Sequence, residues 1–272
     1  PSTLYVCGTP IGNLGDISTR LIAVLTAVDC IYAEDTRVTK KLLSSCKITT
    51  QIYSLNAHTE KEKTRLVLHS LSNHQSIALV SDAGTPNICD PGAYLIKEVI
   101  QNNYRVIPVP GPSAIATLVS ISGILANSFS FSGFFPKSKT EAFKLLETLE
   151  PSNYPVVFYE TAKRLLSTLD FLEKEIDVTT ICLAKEMTKK FETYLYGTVP
   201  EIKKQLTTIQ IKGEWCIIFT YKLKIQKSVS SLVQSLFNEG LTTHQILFVA
   251  HKILKHPKNE VYKHVLLNKQ PD

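Results

Sequence analysis

Residues 81–92 have the sequence SDAGTPNICDPG, a polar loop with two glycines and two prolines. The apolar run before it, residues 77–80, is short and rich in branched side chains, which is typical of a buried β-strand. The run after it, residues 93–100, has helical spacing, and we expect Asp90 to cap this helix with Pro91 at its first position. In open α/β sheets, loops at the carboxyl ends of the strands bind the ligands. The stretch therefore predicts an α/β fold and makes this loop a candidate ligand site.

The residue types within this loop allow two interpretations. Gly84 lets backbone approach a ligand closely, and Asp82 and Thr85 offer side-chain oxygens to one. A tight strand-to-helix turn would also need these residues, for its geometry alone. The loop taken by itself leaves both interpretations open.

Pairs of a strand and a polar loop recur along the first half of the chain. Short apolar runs at residues 4–7, 30–33 and 106–109 predict further strands, and each is followed by a loop of small or polar residues. The first of these loops lacks the G-x-G-x-x-G pattern of dinucleotide-binding proteins. Helices are predicted between the strands, including one that Ser113 caps and one that begins with a capping box at residues 59–62. Alternating strands and helices predict a parallel sheet flanked by helices.

The loop after the second strand, residues 34–37, has the sequence EDTR. Two adjacent carboxylates, a hydroxyl and an arginine are unusual for a plain turn. They either form a local ion pair that orients the loop or contact a substrate or ligand. The position at the same sheet edge as the other loops favours the second interpretation.

The alternation of strands and helices restarts in the second half of the chain. From residue 223 onward the sequence is rich in lysine and has helical apolar patterns, with Thr243 as a predicted cap. We therefore expect an α/β fold of two consecutive domains, residues 1–125 and 126–222, followed by a small helical module at residues 223–272. The strands expected in the second domain are residues 129–136, 156–159, 180–184, 193–197 and 215–219.

Composition and charge limit the class of protein. With 44% hydrophobic and 20% charged residues among 272, the chain is typical of soluble globular proteins, and no apolar run approaches the ~20 residues that span a bilayer. The six cysteines are scattered without a C-x-x-C pair, which favours reduced thiols in a cytoplasmic protein and argues against a metal site. The net charge of +6 lies within residues 201–272, where 11 lysines accompany 5 acidic residues. This asymmetry indicates a polyanionic partner or a lysine surface that aids solubility.

Four motifs occur together in a fixed order: TPIGNLGD at residues 9–16, EDTR at 34–37, the loop at 81–92 and VPGPSA at 109–114. Together they resemble the tetrapyrrole-methylase superfamily, and the resemblance covers essentially the whole chain. It implies two α/β domains that bind S-adenosylmethionine (SAM) in the cleft between them. Within the superfamily, the chain is similar to the methyltransferases of the ribosomal RNA small subunit. The resemblance implies a helical C-terminal extension and methylation of the ribose 2′-hydroxyl of a cytidine in 16S rRNA.

Motifs of the second half also resemble this family, with one departure. Ala162 and Lys163 stand where many relatives have Pro-His, which weakens any mechanism that needs an imidazole at this place. The segments that match the family are residues 134–137, 158–161, 185–192 and 213–214.

The resemblance implies roles for individual residues. The loops of the first domain would hold SAM mainly through backbone groups, and residues of the second domain would close over the adenosine. A ribose hydroxyl is a poor nucleophile until it is deprotonated, so a general base would help, and spacing does not identify one. For each charged candidate, a solvated ion pair is the alternative. The expected SAM-binding residues are Pro10, Asp82, Gly84, Thr85, Ser113, Ala114, Phe134, Tyr159 and Gly213; the candidate catalytic residues are Asp35, Glu160, Lys189 and Glu192; and Glu34, Arg37 and Arg164 are expected to hold the substrate.

The partner that the resemblance implies is 16S rRNA within the small ribosomal subunit, with no metal ion and no membrane, and relatives imply a homodimer. Three alternatives remain: methylation of a tetrapyrrole carbon, methylation of a protein side chain as in diphthine synthesis, and a non-catalytic RNA-binding protein of ribosome assembly. The basic C-terminal residues and the EDTR loop argue against the first two. Intact glycine loops argue against the third, and a SAM-binding assay would separate it from the enzymes.

Overall fold

The computed structural model describes residues 2–124, 127–223, 229–253 and 258–267. The chain divides into two compact units, residues 1–222 and 223–272. The expected boundary between the first two domains, at residues 125 and 126, lies outside the described residues. The division of the chain into three domains therefore stays a prediction.

A five-stranded sheet forms the first half of the larger unit, with strand order β3-β2-β4-β1-β5. All of its pairings are parallel, as the alternation of strands and helices predicted. Apolar clusters cover both faces of the sheet, so its central strands are buried. The strands are β1 Thr3–Cys7, β2 Cys30–Ala33, β3 Ile52–Ser54, β4 Ser76–Val80 and β5 Arg105–Val109, and the helices are α1 Thr19–Ala27, α2 Thr36–Ser45, α3 Glu60–Ser72, α4 Ala93–Gln101 and α5 Ala114–Ile121.

Two expected helix starts differ in the structure. Asp90 does not cap α4, because the helix begins after Gly92 and the Glu60 carboxylate accepts hydrogen bonds from the backbone N–H groups of Gly92, Tyr94 and Leu95. The capping box at residues 59–62 is absent, since the Thr59 side chain makes no cap hydrogen bond to its own helix. A carboxylate from one helix therefore stabilises the positive end of the next. The cap at Ser113 is confirmed, because its hydroxyl accepts a hydrogen bond from the Ala116 N–H.

A second five-stranded sheet, of order β6-β7-β10-β8-β9, follows in the same unit and mixes parallel with antiparallel pairs. Two strands are longer than expected, because apolar and polar residues alternate beyond the continuous apolar runs from which the strands were predicted. The strands are β6 Ser130–Phe134, β7 Val156–Thr161, β8 Ile176–Lys185, β9 Thr193–Gly197 and β10 Glu214–Leu223, and the helices are α6 Lys139–Leu149, α7 Leu165–Glu175 and α8 Val199–Leu206.

The smaller unit is helical and has an apolar core of its own. Thr242 rather than Thr243 caps the second helix, in a capping box with Gln245. Among the described residues, no helix is both long and apolar enough to cross a membrane. The helices are α9 Val229–Asn238, α10 Thr243–Leu247 with a π-helical continuation at Phe248–Ile253, and α11 Lys258–Leu267.

Candidate functional site

Three loops meet at the carboxyl ends of the neighbouring strands β1, β4 and β5. Gly8 and Gly111 lie so close that a Cβ on Gly8 would be 2.7 Å from the Gly111 backbone nitrogen. Thr9 and Gly84 exchange two backbone hydrogen bonds, of 2.8 and 3.1 Å. The Thr9 hydroxyl also donates to the Ser81 carbonyl. Glycine at these positions therefore allows the first, third and fourth motifs to form one continuous backbone surface.

This surface forms one wall of a cavity of about 450 Å³, and loops of the second half form the other wall. The size suits a small-molecule ligand. Pro10 does not line the cavity, although its neighbour Ile11 does. The predicted site residues that line it are Glu34, Asp82, Gly84, Thr85, Ser113, Ala114, Phe134, Tyr159, Glu160, Lys189 and Gly213.

Three carboxylates give one part of the cavity a negative potential. Burial, followed by repulsion from Asp90 and Asp82, raises the pKa of Glu34. Burial also raises the pKa of Asp82 and the pKa of Asp90. Each carboxylate is therefore costly to keep ionised, and a positively charged ligand beside the three would lower that cost.

A lysine between two glutamates lines the opposite wall. The Lys189 amine lies 3.1 Å from a Glu186 carboxylate oxygen and 2.9 Å from one of Glu214. Burial alone would lower the pKa of Lys189, but its hydrogen bonds to Glu214 and Glu186 raise that pKa above its usual value. Burial opposes ionisation of Glu186, yet hydrogen bonds from Glu214 and Lys189 leave its pKa lowered. Both charges are therefore stable at neutral pH.

The absence of a side chain at Gly213 leaves room for the Glu186 carboxylate that pairs with Lys189. The φ of Gly213 is 81°, and a Cβ there would lie 2.5 Å from a Glu186 carboxylate oxygen. The same oxygen accepts a hydrogen bond of 2.9 Å from the Glu214 N–H. A side chain at this position would therefore displace the carboxylate that holds Lys189.

Aromatic side chains provide the apolar part of the cavity. Phe134 is half exposed and packs edge-on against Tyr159, with ring centroids 5.7 Å apart. Burial raises the pKa of the Tyr159 hydroxyl. Trp215 is buried, and its indole nitrogen has no hydrogen-bond partner. A flat apolar group could lie against these rings, and the indole N–H is available to donate.

Asp35 and Arg37 do not line the cavity. The Asp35 carboxylate accepts a hydrogen bond from the Arg37 N–H and so caps α2, and it also pairs with the Arg37 guanidinium at 2.6 Å. Hydrogen bonds from Arg37 lower the pKa of Asp35 to about 2. The geometry therefore matches the local ion pair that the sequence left open for these two residues.

Glu160 lines the cavity but has both oxygens engaged. Its carboxylate accepts hydrogen bonds of 2.7 Å from the Thr161 N–H and 2.6 Å from the Thr168 hydroxyl. Arg164 lies 3.3 Å from the same carboxylate and donates to the carbonyls of Phe135 and Pro136. This network fixes the chain that follows Phe134.

Glu192 lies outside the lining residues and closes a loop. Its carboxylate accepts a hydrogen bond of 2.7 Å from the Thr188 N–H and one of 2.9 Å from the Tyr194 hydroxyl. It therefore organises the segment that carries Lys189.

Several residues that line the cavity have no site role predicted from the sequence. The sequence predicts Asp90 as a helix cap, and Glu186 and Glu214 lie inside the matching motifs without a predicted role. For Glu186 and Glu214, a site role could be predicted from their charge and from their place in the motifs at 185–192 and 213–214, close in sequence to Lys189 and Gly213. Among the described residues, no group of three or more His, Cys, Asp or Glu residues is arranged to hold a metal ion.

Comparisons with known proteins show the family to which the chain belongs. The family model for tetrapyrrole (corrin/porphyrin) methylases matches residues 3–203. A ribosomal RNA small subunit methyltransferase I of Neisseria meningitidis serogroup B is 38% identical over 268 residues, covering 96% of this chain and 91% of that protein. A protein of the same name from Bacillus subtilis is 39% identical over 215 residues, covering 79% of this chain and 74% of its own length.

Solved structures share the fold at low sequence identity. A diphthine synthase has a TM-score of 0.63 at 12% identity, covering 81% of this chain and 90% of its own. A cobalt precorrin-4 methyltransferase has a TM-score of 0.59 at 14% identity, covering 80% of this chain and 95% of its own. From these matches, the chain belongs to the tetrapyrrole methylase family and, within it, to the group of the ribosomal RNA small subunit methyltransferases I.

Proposed function

We propose that this protein transfers a methyl group from SAM to the ribose 2′-hydroxyl of a cytidine in 16S rRNA of the small ribosomal subunit. The observation that carries the proposal is the cavity between the two halves of the larger unit, with a backbone wall on one side and Lys189 on the other. The names of the relatives support an rRNA substrate.

The residues of the cavity suit SAM. The methyl donor is a sulfonium cation with a flat adenine ring and a charged amino-acid end. Asp82 and Asp90 offer negative charge to the cationic part, and Phe134 and Tyr159 offer rings to the adenine. The glycine loops offer backbone donors and acceptors at close range. Ser113, Ala114, Thr85 and Gly213 would complete the contacts.

When bound, SAM supplies an electrophilic methyl group, so the protein has to position the ribose oxygen and stabilise its developing negative charge. Lys189 suits the second task, because its raised pKa keeps the amine protonated and Glu186 and Glu214 hold it in place. A fixed positive charge at the reacting oxygen is a strong contribution to catalysis. Lys189 therefore acts as a charge stabiliser in this proposal, rather than as a base.

Glu34 is then the proposed proton acceptor. It lines the cavity, and its raised pKa makes it more basic than an ordinary glutamate. We propose structural roles for the remaining candidates: Asp35 pairs with Arg37, Glu160 holds Arg164, and Glu192 closes the loop that carries Lys189. In this proposal the guanidinium of Arg37, which is exposed, still contacts RNA phosphate.

Transfer of labelled methyl from SAM to purified substrates tests the function. We expect label in small ribosomal subunits from cells that lack this protein, and none in subunits from cells that have it. Label in a tetrapyrrole or a protein instead would overturn the RNA substrate. SAM binding measured by calorimetry separates these enzymes from a non-catalytic assembly protein, which would bind no SAM.

We also propose that the protein acts in the cytoplasm as a homodimer on the assembled subunit. Proteins recognise RNA largely by its three-dimensional shape, and 16S rRNA is held in a defined shape within the assembled subunit. Light scattering checks the dimer, and comparison of naked 16S rRNA with assembled subunits checks the substrate. A monomer, or faster methylation of naked RNA, would contradict these points.

A further inference from the structure

Phe191 is the most exposed of the large apolar side chains in the described residues, at 72%. It lies in the loop of residues 186–192, between β8 and β9. A single exposed ring is common on protein surfaces and does not by itself mark a contact surface, so the loop around Phe191 and its place beside the cavity decide its interpretation. Nothing in the proposed chemistry uses this ring.

The loop holds Phe191 outward by its own hydrogen bonds. The Glu192 carboxylate accepts from the Thr188 N–H and the Tyr194 hydroxyl, and the Lys189 N–H donates to the Glu186 carbonyl. Glu186 and Thr188 have φ values of 51° and 68°, a backbone region that non-glycine residues rarely adopt. Such conformations persist where the surroundings fix them, and they concentrate at functional sites.

The same loop belongs to the cavity. Glu186, Met187 and Lys189 line it, and Phe191 is two residues further along the chain, within roughly 7 Å of Lys189 along the backbone. The Lys190 amine lies over the Phe191 ring, 5.4 Å from its centroid. An aromatic face and an adjacent cation therefore stand at the edge of the cavity.

We propose that Phe191, with Lys190 beside it, stacks on an RNA base next to the nucleotide whose ribose enters the cavity. This inference rests on the proposed function and adds a residue that positions the substrate. Glu34, Asp82 and Asp90 make the cavity acidic, so its interior offers a polyanion little attraction. Stacking recognises an uncharged ring, and the neighbouring lysine can meet the phosphate beside it. An exposed ring with a cation beside it thus suits RNA, which offers a flat base and a phosphate together.

The test compares F191A and F191W with a matched control, F129A. Phe129 is also exposed, but it precedes β6 at the end opposite to Phe134, away from the cavity. Binding to small subunits is measured by sedimentation, the KM for subunits by methyl transfer, and SAM affinity by calorimetry. We expect F191A to weaken subunit binding and raise KM on the order of 10-fold. SAM affinity should stay unchanged, F191W should keep near-normal binding, and F129A should match the wild type.

Several results would overturn the inference. Unchanged subunit binding by F191A would do so, as would an equal loss in F129A or a loss of SAM affinity. Loss of self-association in F191A would assign the ring to a subunit interface instead. If the wild-type protein methylates subunits while F191A binds them normally, only this inference fails. If the wild type neither binds nor methylates subunits, the proposed function fails as well.

Discussion

At the level of single residues, the charge-stabilising role proposed for Lys189 is tested by removing its positive charge. Replacing Lys189 by methionine removes the positive charge but keeps a side chain of similar length. We expect K189M to lower kcat on the order of 100-fold with little change in SAM affinity. Lys203 is the control, because its amine also pairs with two carboxylates, at 2.6 Å each, and it does not line the cavity. Normal turnover in K189M, or an equal loss in K203M, would contradict the charge-stabilising role.

The pH dependence of turnover tests Glu34. A proton acceptor works as the carboxylate, so kcat should fall as the pH decreases through the pKa of Glu34. Because burial and neighbouring carboxylates raise that pKa, the fall should begin above the ordinary glutamate value of about 4.3. E34Q should lower kcat and abolish this acid limb in single-turnover measurements at saturating SAM. An unchanged limb in E34Q would assign proton acceptance to another group.

A side chain at Gly213 is expected to strain the backbone and to collide with the Glu186 carboxylate. G213A forces a Cβ to within 2.5 Å of the Glu186 carboxylate, whereas Gly123 has a similar positive φ, 69°, and nothing within 4 Å. Both variants should lose on the order of 1 kcal/mol of unfolding free energy from the backbone. Only G213A should also lose methyl transfer, because Glu186 no longer holds Lys189. Equal activity in the two variants would show that the close approach has no role in turnover.

At the scale of secondary-structure elements, the start of α4 depends on a neighbour. E60A removes the carboxylate that accepts hydrogen bonds from three backbone N–H groups at the start of α4, those of Gly92, Tyr94 and Leu95. We expect a loss of about 1 kcal/mol, which lowers Tm by roughly 2–4 °C. Glu62 lies in the same helical turn with only a 3.7 Å ion pair to Lys63, so E62A should leave Tm nearly unchanged. Equal Tm values for E60A and E62A would contradict this role for Glu60.

The same helix shows where sequence-based prediction succeeds and fails. The strand and helix around residues 81–92 followed from local spacing, because burial on both faces of a parallel sheet leaves an apolar run. The cap did not follow, since Glu60 is more than 30 residues from α4 in sequence and only the fold brings them together. The contact between Lys189 and Glu214 has the same cause, because the two residues are 25 positions apart in sequence, whereas Glu186 lies only three positions before Lys189. Local contacts such as the Ser113 cap could be predicted, and contacts between distant segments could not.

At the scale of the whole molecule, deletion of the helical unit, residues 223–272, tests its role. Residues 223–272 form a compact unit with an apolar core of their own. They contain 7 lysines and 3 acidic residues. We expect residues 1–222 alone to remain soluble and bind SAM normally, but to bind small subunits more weakly and with a smaller dependence on salt. Insoluble protein would show that this unit is needed for stability instead.

The position of the methyl group tests the proposed 2′-O-methylation of 16S rRNA directly. The purified protein is incubated with SAM and small subunits from cells that lack it, and the 16S rRNA is digested and analysed by mass spectrometry. We expect a single cytidine that carries the methyl group on its ribose 2′-oxygen. A methyl group on a base, or no methylated nucleotide despite measurable SAM binding, would contradict this proposal.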